Sequence, residues 1–142
     1  MSCRKRVDKE GCLYIEYRNN KGSLHREDGP AYIDHYLDGT IYCESFYING
    51  SRHREVGPAE IKYYGYSGLI LSESFYLHNS LHREVGPAVI KYYACGSIDV
   101  EEFFLYGVWL GSGKEGFWGL WDRLSDKQRL TPDILKCMMR FL

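Results

Sequence analysis

The sequence predicts a mainly β fold: an elongated antiparallel β-meander of repeated two-strand units with a C-terminal α-helical cap. Three observations predict it. First, Leu24-His25-Arg26-Glu27-Asp28-Gly29-Pro30-Ala31 returns as Arg52-His53-Arg54-Glu55-Val56-Gly57-Pro58-Ala59, then as Leu81-His82-Arg83-Glu84-Val85-Gly86-Pro87-Ala88. His25 to His53 is 28 residues and His53 to His82 is 29, a period that describes one supersecondary unit stacked on its copies. Second, each copy is flanked by short runs in which Ile, Phe and Tyr alternate with polar residues, the pattern of strands with one buried face. Third, the periodicity changes after Gly113, where Phe117, Leu120, Trp121 and Leu124 recur at helical spacing.

Taking Gly11, Gly39, Gly68 and Gly96 as starts divides 11–110 into units 11–38, 39–67, 68–95 and a partial 96–110. A basic segment, 1–10, precedes them, and its Arg4-Lys5-Arg6 cluster reads as a solvated, frayed terminus. Each unit then opens with a strand: Leu13 to Asn20, Ile41 to Ile48, Ile70 to Leu77, Ile98 to Leu105. In this register Glu16, Glu44, Glu73 and Glu101 are equivalent, as are Arg18, Phe46, Phe75 and Phe103. Alternation places both sets on one face, where the carboxylate is expected to meet an Arg or His of an adjacent unit.

A turn follows, clearest in Asn49-Gly50, because both residue types tolerate positive φ. The His-Arg-Glu-x-Gly-Pro segment leads into a second strand, Ala31 to Tyr36, Ala59 to Tyr64 and Ala88 to Tyr93. One face of that strand is apolar, and the other is mixed, with a recurring tyrosine at 36, 64 and 93. Pro30, Pro58 and Pro87 mark strand starts or edges, since proline lacks the N–H that a central ladder needs. The fourth unit ends at Leu110, where the histidine would stand. Helical spacing then predicts one helix over 115–129 and, after Thr131 as N-cap and Pro132 at the first position, a second running to the end. The region 114–142 is expected to cover the last unit's apolar face and open edge.

The chain has 142 residues, enough for one domain. Residues 1–10 carry four basic and two acidic groups, 11–110 carry 8 and 13, and 111–142 carry 6 and 4. An acidic repeat body argues against a nucleic-acid partner held by net charge. There is no apolar run long enough for a transmembrane segment, and the start lacks the hydrophobic stretch of a signal peptide. The five cysteines are scattered without a paired C-x-x-C, which reads as reduced thiols in a cytoplasmic setting, with no metal and no cofactor implied.

His-Arg-Glu in succession invites a hydrolytic reading, with His25, His53 and His82 as bases. Catalysis needs one convergent constellation, however, and three equivalent copies describe something each unit needs in order to fold. Equivalent histidines in successive two-strand units lie about 9–10 Å apart, too far to share one ion. The expected role is therefore structural for His25, Arg26, Glu27, Gly29, Pro30, His53, Arg54, Glu55, Gly57, Pro58, His82, Arg83, Glu84, Gly86 and Pro87. The histidine should bond backbone at the turn, and Arg and Glu should pair between units.

The units resemble MORN-type repeats in the longer variant that carries a recurrent His-Arg-x-x-Gly-Pro-Ala, a family found in bacteria and large DNA viruses. The resemblance covers about 11–110 and implies elongated sheets of stacked hairpins that serve as scaffolds or interaction modules, with lipid contact for some members. It implies a cytoplasmic location, or host cytoplasm or virion for a viral source. The expected function is a non-catalytic repeat scaffold that binds a protein partner or a second copy of itself through Tyr36, Tyr64, Tyr93, Trp118 and Trp121, since Tyr and Trp are favoured interface anchors. A peripheral anionic-lipid-binding module is the alternative, ahead of a hydrolase.

Overall fold

The computed structural model describes residues 1–124, 126–129 and 131–142. The N-terminal segment forms β1 (Ser2–Val7). Unit one supplies β2 (Leu13–Arg18) and β3 (Tyr32–His35). Unit two supplies β4 (Ile41–Ser45), β5 (Tyr47–Ile48), β6 (Ser51–Arg52) and β7 (Glu60–Tyr63). Unit three supplies β8 (Ile70–Ser74), β9 (Tyr76–Leu77), β10 (Ser80–Leu81) and β11 (Val89–Tyr92), and unit four β12 (Ile98–Leu105) and β13 (Val108–Ser112). Nine of these make one antiparallel meander in the order β1-β2-β3-β4-β7-β8-β11-β12-β13, and β5-β6 and β9-β10 form two small hairpins. The mainly β meander with C-terminal helices is the fold the sequence predicts.

Residues 2–7 are not frayed. They pair with β2 from Ser2 opposite Arg18 to Val7 opposite Leu13. The basic cluster is accommodated because Arg4 stands opposite Glu16, whose carboxyl is held below its usual range chiefly by Arg18, with Arg6 and Arg4 adding to it.

In units two and three the first strand is interrupted at its phenylalanine. Phe46 donates its N–H to the Ala59 carbonyl, while its own carbonyl accepts from His53 N–H. One residue thus belongs to the main sheet on one side and to the hairpin on the other, and Phe75 does the same with Ala88 and His82. The hairpin turns have positive φ at Asn49 (49°) and Gly50 (84°), as the Asn-Gly pair predicts.

Unit one departs from the expected register by one residue. Tyr17 makes the bonds of Phe46, donating to Ala31 and accepting from His25. Tyr17, not Arg18, therefore stands at the phenylalanine position, and Ile15, not Glu16, stands at the glutamate position, opposite Ile33 as Glu44 is opposite Ile61. The cause is the turn: Arg18 bridges Leu24 across five residues, whereas Tyr47 pairs with Arg52 across four. The Asn19 side chain closes this longer turn by accepting from Lys21 and Ser23 N–H.

Three helices follow, α1 (Gly113–Trp121), α2 (Asp126–Arg129) and α3 (Pro132–Phe141). The single helix expected over 115–129 is broken after Trp121, where Arg123 and Leu124 N–H donate three residues back, to Leu120 and Trp121, and tighten the chain into a turn. Ser125 and Leu130, within the expected cap, lie outside the described residues. The main core is here: Phe103, Phe117, Leu120, Leu124, Ile134 and Cys137 are buried together. Gly116 lets α1 lie directly on β13, since a Cβ there would be 2.6 Å from the Phe103 ring and closer still to the Gly111 carbonyl. Along the rest of the sheet the buried apolar residues are Ala31, Cys43, Ala59, Ala88, Val89 and Ile90, with the three alanines fully enclosed.

Candidate functional site

Each motif histidine reaches into the following unit. Asn49 N–H donates to His25 Nδ1 at 3.1 Å, His78 N–H to His53 Nδ1 at 3.4 Å and Tyr106 N–H to His82 Nδ1 at 3.1 Å. All three donors are the left-handed residues that open the next turn. An Nδ1 that accepts a proton-bearing N–H is itself unprotonated, so each ring must be neutral with its hydrogen on Nε2. His53 also stacks on His78, with centroids 4.4 Å apart, and His82 on Tyr106, at 4.0 Å.

The motif arginine stays inside its own unit. The guanidinium carbons of Arg26, Arg54 and Arg83 lie 4.1, 3.9 and 3.9 Å from the ring centroids of Tyr17, Phe46 and Phe75. Arg54 and Arg83 donate to the Pro58 and Pro87 carbonyls of their own loops, and Arg26 instead bonds Asp28, which stands where the other copies have valine. The expected Arg–Glu pairing between units is absent from this arrangement. The carboxylates of Glu27 and Glu84 sit 3.7 and 3.9 Å from Nε2 of the histidine two residues earlier, while each arginine is held by a ring face and by a carbonyl or, for Arg26, by Asp28. Units are joined instead by backbone: Arg26, Arg54 and Arg83 N–H donate to Tyr47, Tyr76 and Phe104, and Leu24, Arg52 and Leu81 carbonyls accept from Gly50, Asn79 and Gly107.

The recurring glutamate is also satisfied, by a partner the sequence did not suggest. Tyr63 donates its hydroxyl to Glu44 and Tyr92 to Glu73, both at 2.7 Å. Burial, then the carboxylate bond, pushes both phenols well above their ordinary range. In unit four the strand that returns along β12 is β13, which carries no tyrosine, and Arg140 of α3 supplies the donor to Glu101. Burial still pushes the Glu101 carboxyl up, against the pull of Arg140 and Arg83. In unit one, where Ile15 replaces the glutamate, His35 replaces the tyrosine and its Nδ1 lies 2.9 Å from the Leu13 carbonyl. The pair changes together.

The proposed partner-binding residues are dispersed. Tyr36 and Tyr64 donate to the Tyr63 and Tyr92 carbonyls, stitching each unit to the next. Tyr93 is half-exposed, bonded to Asp99. Trp118 and Trp121 pack on Phe117 at 5.0 and 5.9 Å, inside the cap. The structure does not bring these five together. Among the described residues there is also no group of three or more His, Cys, Asp or Glu arranged to hold a metal ion.

The two faces of the sheet differ in cover. The face bearing Glu44, Phe46, Glu73, Phe75, Glu101 and Phe103 carries the helices at its C-terminal end, where Val85 packs against the cap. At unit two the equivalent Val56 is 83% exposed. Over units one and two the face opens into a groove of about 710 Å³, floored by Phe46 and Ile48 and walled by Glu27, Asp28 and Glu55. Sequence reasoning missed this groove. The available signal was length: a 10-residue helix spans about 15 Å and cannot cover a face of four units.

The histidine joints predict a pH dependence. Burial holds His82 below its ordinary value of 6.5, outweighing Glu84. Its stabilisation is therefore present above pH 6.5 and is lost as the pH falls through the lowered folded-state value. Thermal melts from pH 8 to 5 should show a falling midpoint, and His82→Ala should flatten that part of the profile. An unchanged slope in the variant would contradict the joint.

No family model, curated protein or solved structure matches this chain. The structure defines a class of architecture, a β-meander built from stacked two-strand units with helices across one end of one face.

Proposed function

We propose that the protein is a non-catalytic scaffold of MORN-like repeats that binds a protein partner on the helix-bearing face of its sheet. One observation carries this: the motif's His and Arg side chains are engaged in unit architecture, while the groove over units one and two is left uncovered. A hydrolase would need one of those histidines as a base, yet each Nδ1 already accepts a backbone N–H. Attachment to an anionic bilayer would rest on β1, where Arg4 stands opposite Glu16.

The test uses the full chain. Affinity capture with chemical cross-linking, followed by titration of the recovered and purified protein, should give saturable one-to-one binding. The same chain should not co-sediment with anionic vesicles at either low or high salt. Vesicle binding that salt reverses, with no protein partner recovered, would overturn the reading in favour of lipid. A turnover lost on replacing a single motif histidine would overturn it in favour of an enzyme.

A further inference from the structure

The helices advance across the sheet in steps. α1 lies on unit four, with Gly116 and Phe117 against Phe103. α3 lies beside it, with Phe141 reaching Phe103, Arg140 on Glu101, and Asp133, Lys136 and Cys137 facing Val85 and Glu73 of unit three. Two antiparallel strands advance a sheet by about 9.5 Å, and packed helices sit 8–10 Å apart. The repeat of the sheet therefore matches the spacing of a helical layer. The next place in that layer lies over unit two, and it presents the same chemistry: Val56 for Val85, Arg54 for Arg83, Glu44 for Glu73, over Phe46 for Phe75.

The charge at that place has a sign. Glu27, Asp28 and Glu55 line the groove with Arg26 and Arg54; Arg26 lies on Tyr17 and bonds Asp28, and Arg54 lies on Phe46 and bonds the Pro58 carbonyl, which leaves Glu27 and Glu55 to face an incoming cation. Residues 11–110 carry 13 acidic and 8 basic groups, a balance of −5, and the segment that covers them at the other end, 111–142, carries 6 basic and 4 acidic, a balance of +2. The chain's own covering element is thus basic and amphipathic, with Ile134 and Cys137 buried and Arg140 on a recurring carboxylate.

We propose that the groove over units one and two is the docking surface for a basic amphipathic helix of a partner protein, lying alongside α3 in the next place of the layer. This rests on the scaffold reading and names the partner's chemistry. Leucine-like side chains would enter over Phe46 and Ile48, and lysines or arginines would meet Glu27 and Glu55, an apolar stripe with a charged rim as helix-in-groove recognition requires.

The probe is a fluorescein-labelled 18-residue peptide of leucine and lysine at helical spacing, titrated into the full chain and followed by anisotropy. Saturable one-to-one binding is expected, weakening as salt rises from 50 to 300 mM. The same pattern built with glutamate for lysine should bind at least tenfold more weakly. Ile48→Asp and the double change Glu27→Lys with Glu55→Lys should each cost at least tenfold, the double change with an unchanged melting temperature because Glu27 and Glu55 are exposed. Tyr66→Asp, at a turn on the opposite end of the strands, should bind as the parent does. No saturable binding, equal binding of the glutamate peptide, or parental affinity in both groove variants would overturn the proposal. A protein partner captured by the full chain and by the groove variants alike would leave the scaffold reading standing and sink this one.

Discussion

Phe103→Ala is expected to be the most damaging truncation in the chain, lowering stability by about 3–5 kcal/mol. Phe103 is fully buried and meets the edges of Phe117 and Phe141 at centroid separations of 6.4 and 6.3 Å. Among the described residues it is the member of the recurring aromatic position that meets aromatic rings of the helices, whereas Tyr17, Phe46 and Phe75 each carry an arginine over the ring. Removing the ring leaves a cavity between sheet and cap that Gly116 has no side chain to refill. Urea denaturation should show a lowered midpoint. Phe46→Ala should cost clearly less, because its site is open to water and leaves no enclosed void. Equal losses at Phe46 and Phe103 would mean that the cap adds nothing to the burial of the last unit.

Gly116→Ala is the second large effect, and its sign is the informative part. In an exposed helix the change would stabilise by about 1 kcal/mol through propensity. Here the new Cβ would stand 2.6 Å from a Phe103 ring carbon and closer to the backbone of Gly111, so α1 must lift from β13. Overpacking of this kind typically costs about 1–3 kcal/mol, and contact with rigid backbone puts the expected net loss at about 2 kcal/mol or more. A melting temperature at or above the parent's would show that α1 does not sit on the sheet as described.

Much of this architecture was legible in the sequence because repetition multiplies weak signals. Three copies of one segment fixed the unit, its period and the turn that follows each strand, and the loss of the segment after Leu110 marked where helices begin. The errors trace to single residues. Equal spacing of Gly11 and Gly39 hid the extra residue in the turn after Asn19, because that gain is offset by a shorter connection elsewhere in the unit; Glu16 was therefore aligned with Glu44 when Ile15 belongs there. The correlated change of Ile15 with His35 would have exposed the shift. Tyr36 and Tyr64 looked like surface anchors because alternation assigns a face without saying what stands opposite; the next unit's carbonyls do. The groove depends on how far the cap reaches, a tertiary fact that no local pattern encodes.

The central claim is that the recurring His-Arg-Glu is a joint between units, with each histidine neutral and accepting a backbone N–H on Nδ1. Long-range ¹H–¹⁵N spectra of the imidazoles, recorded with the backbone amides over a pH series, test it most directly. The account predicts that His25, His53 and His82 are Nε2–H tautomers at pH 8, and that the Tyr106 amide shifts in step with the protonation of His82. Mixed tautomers at the three histidines, or protonation of His82 with no response at the Tyr106 amide, would contradict it.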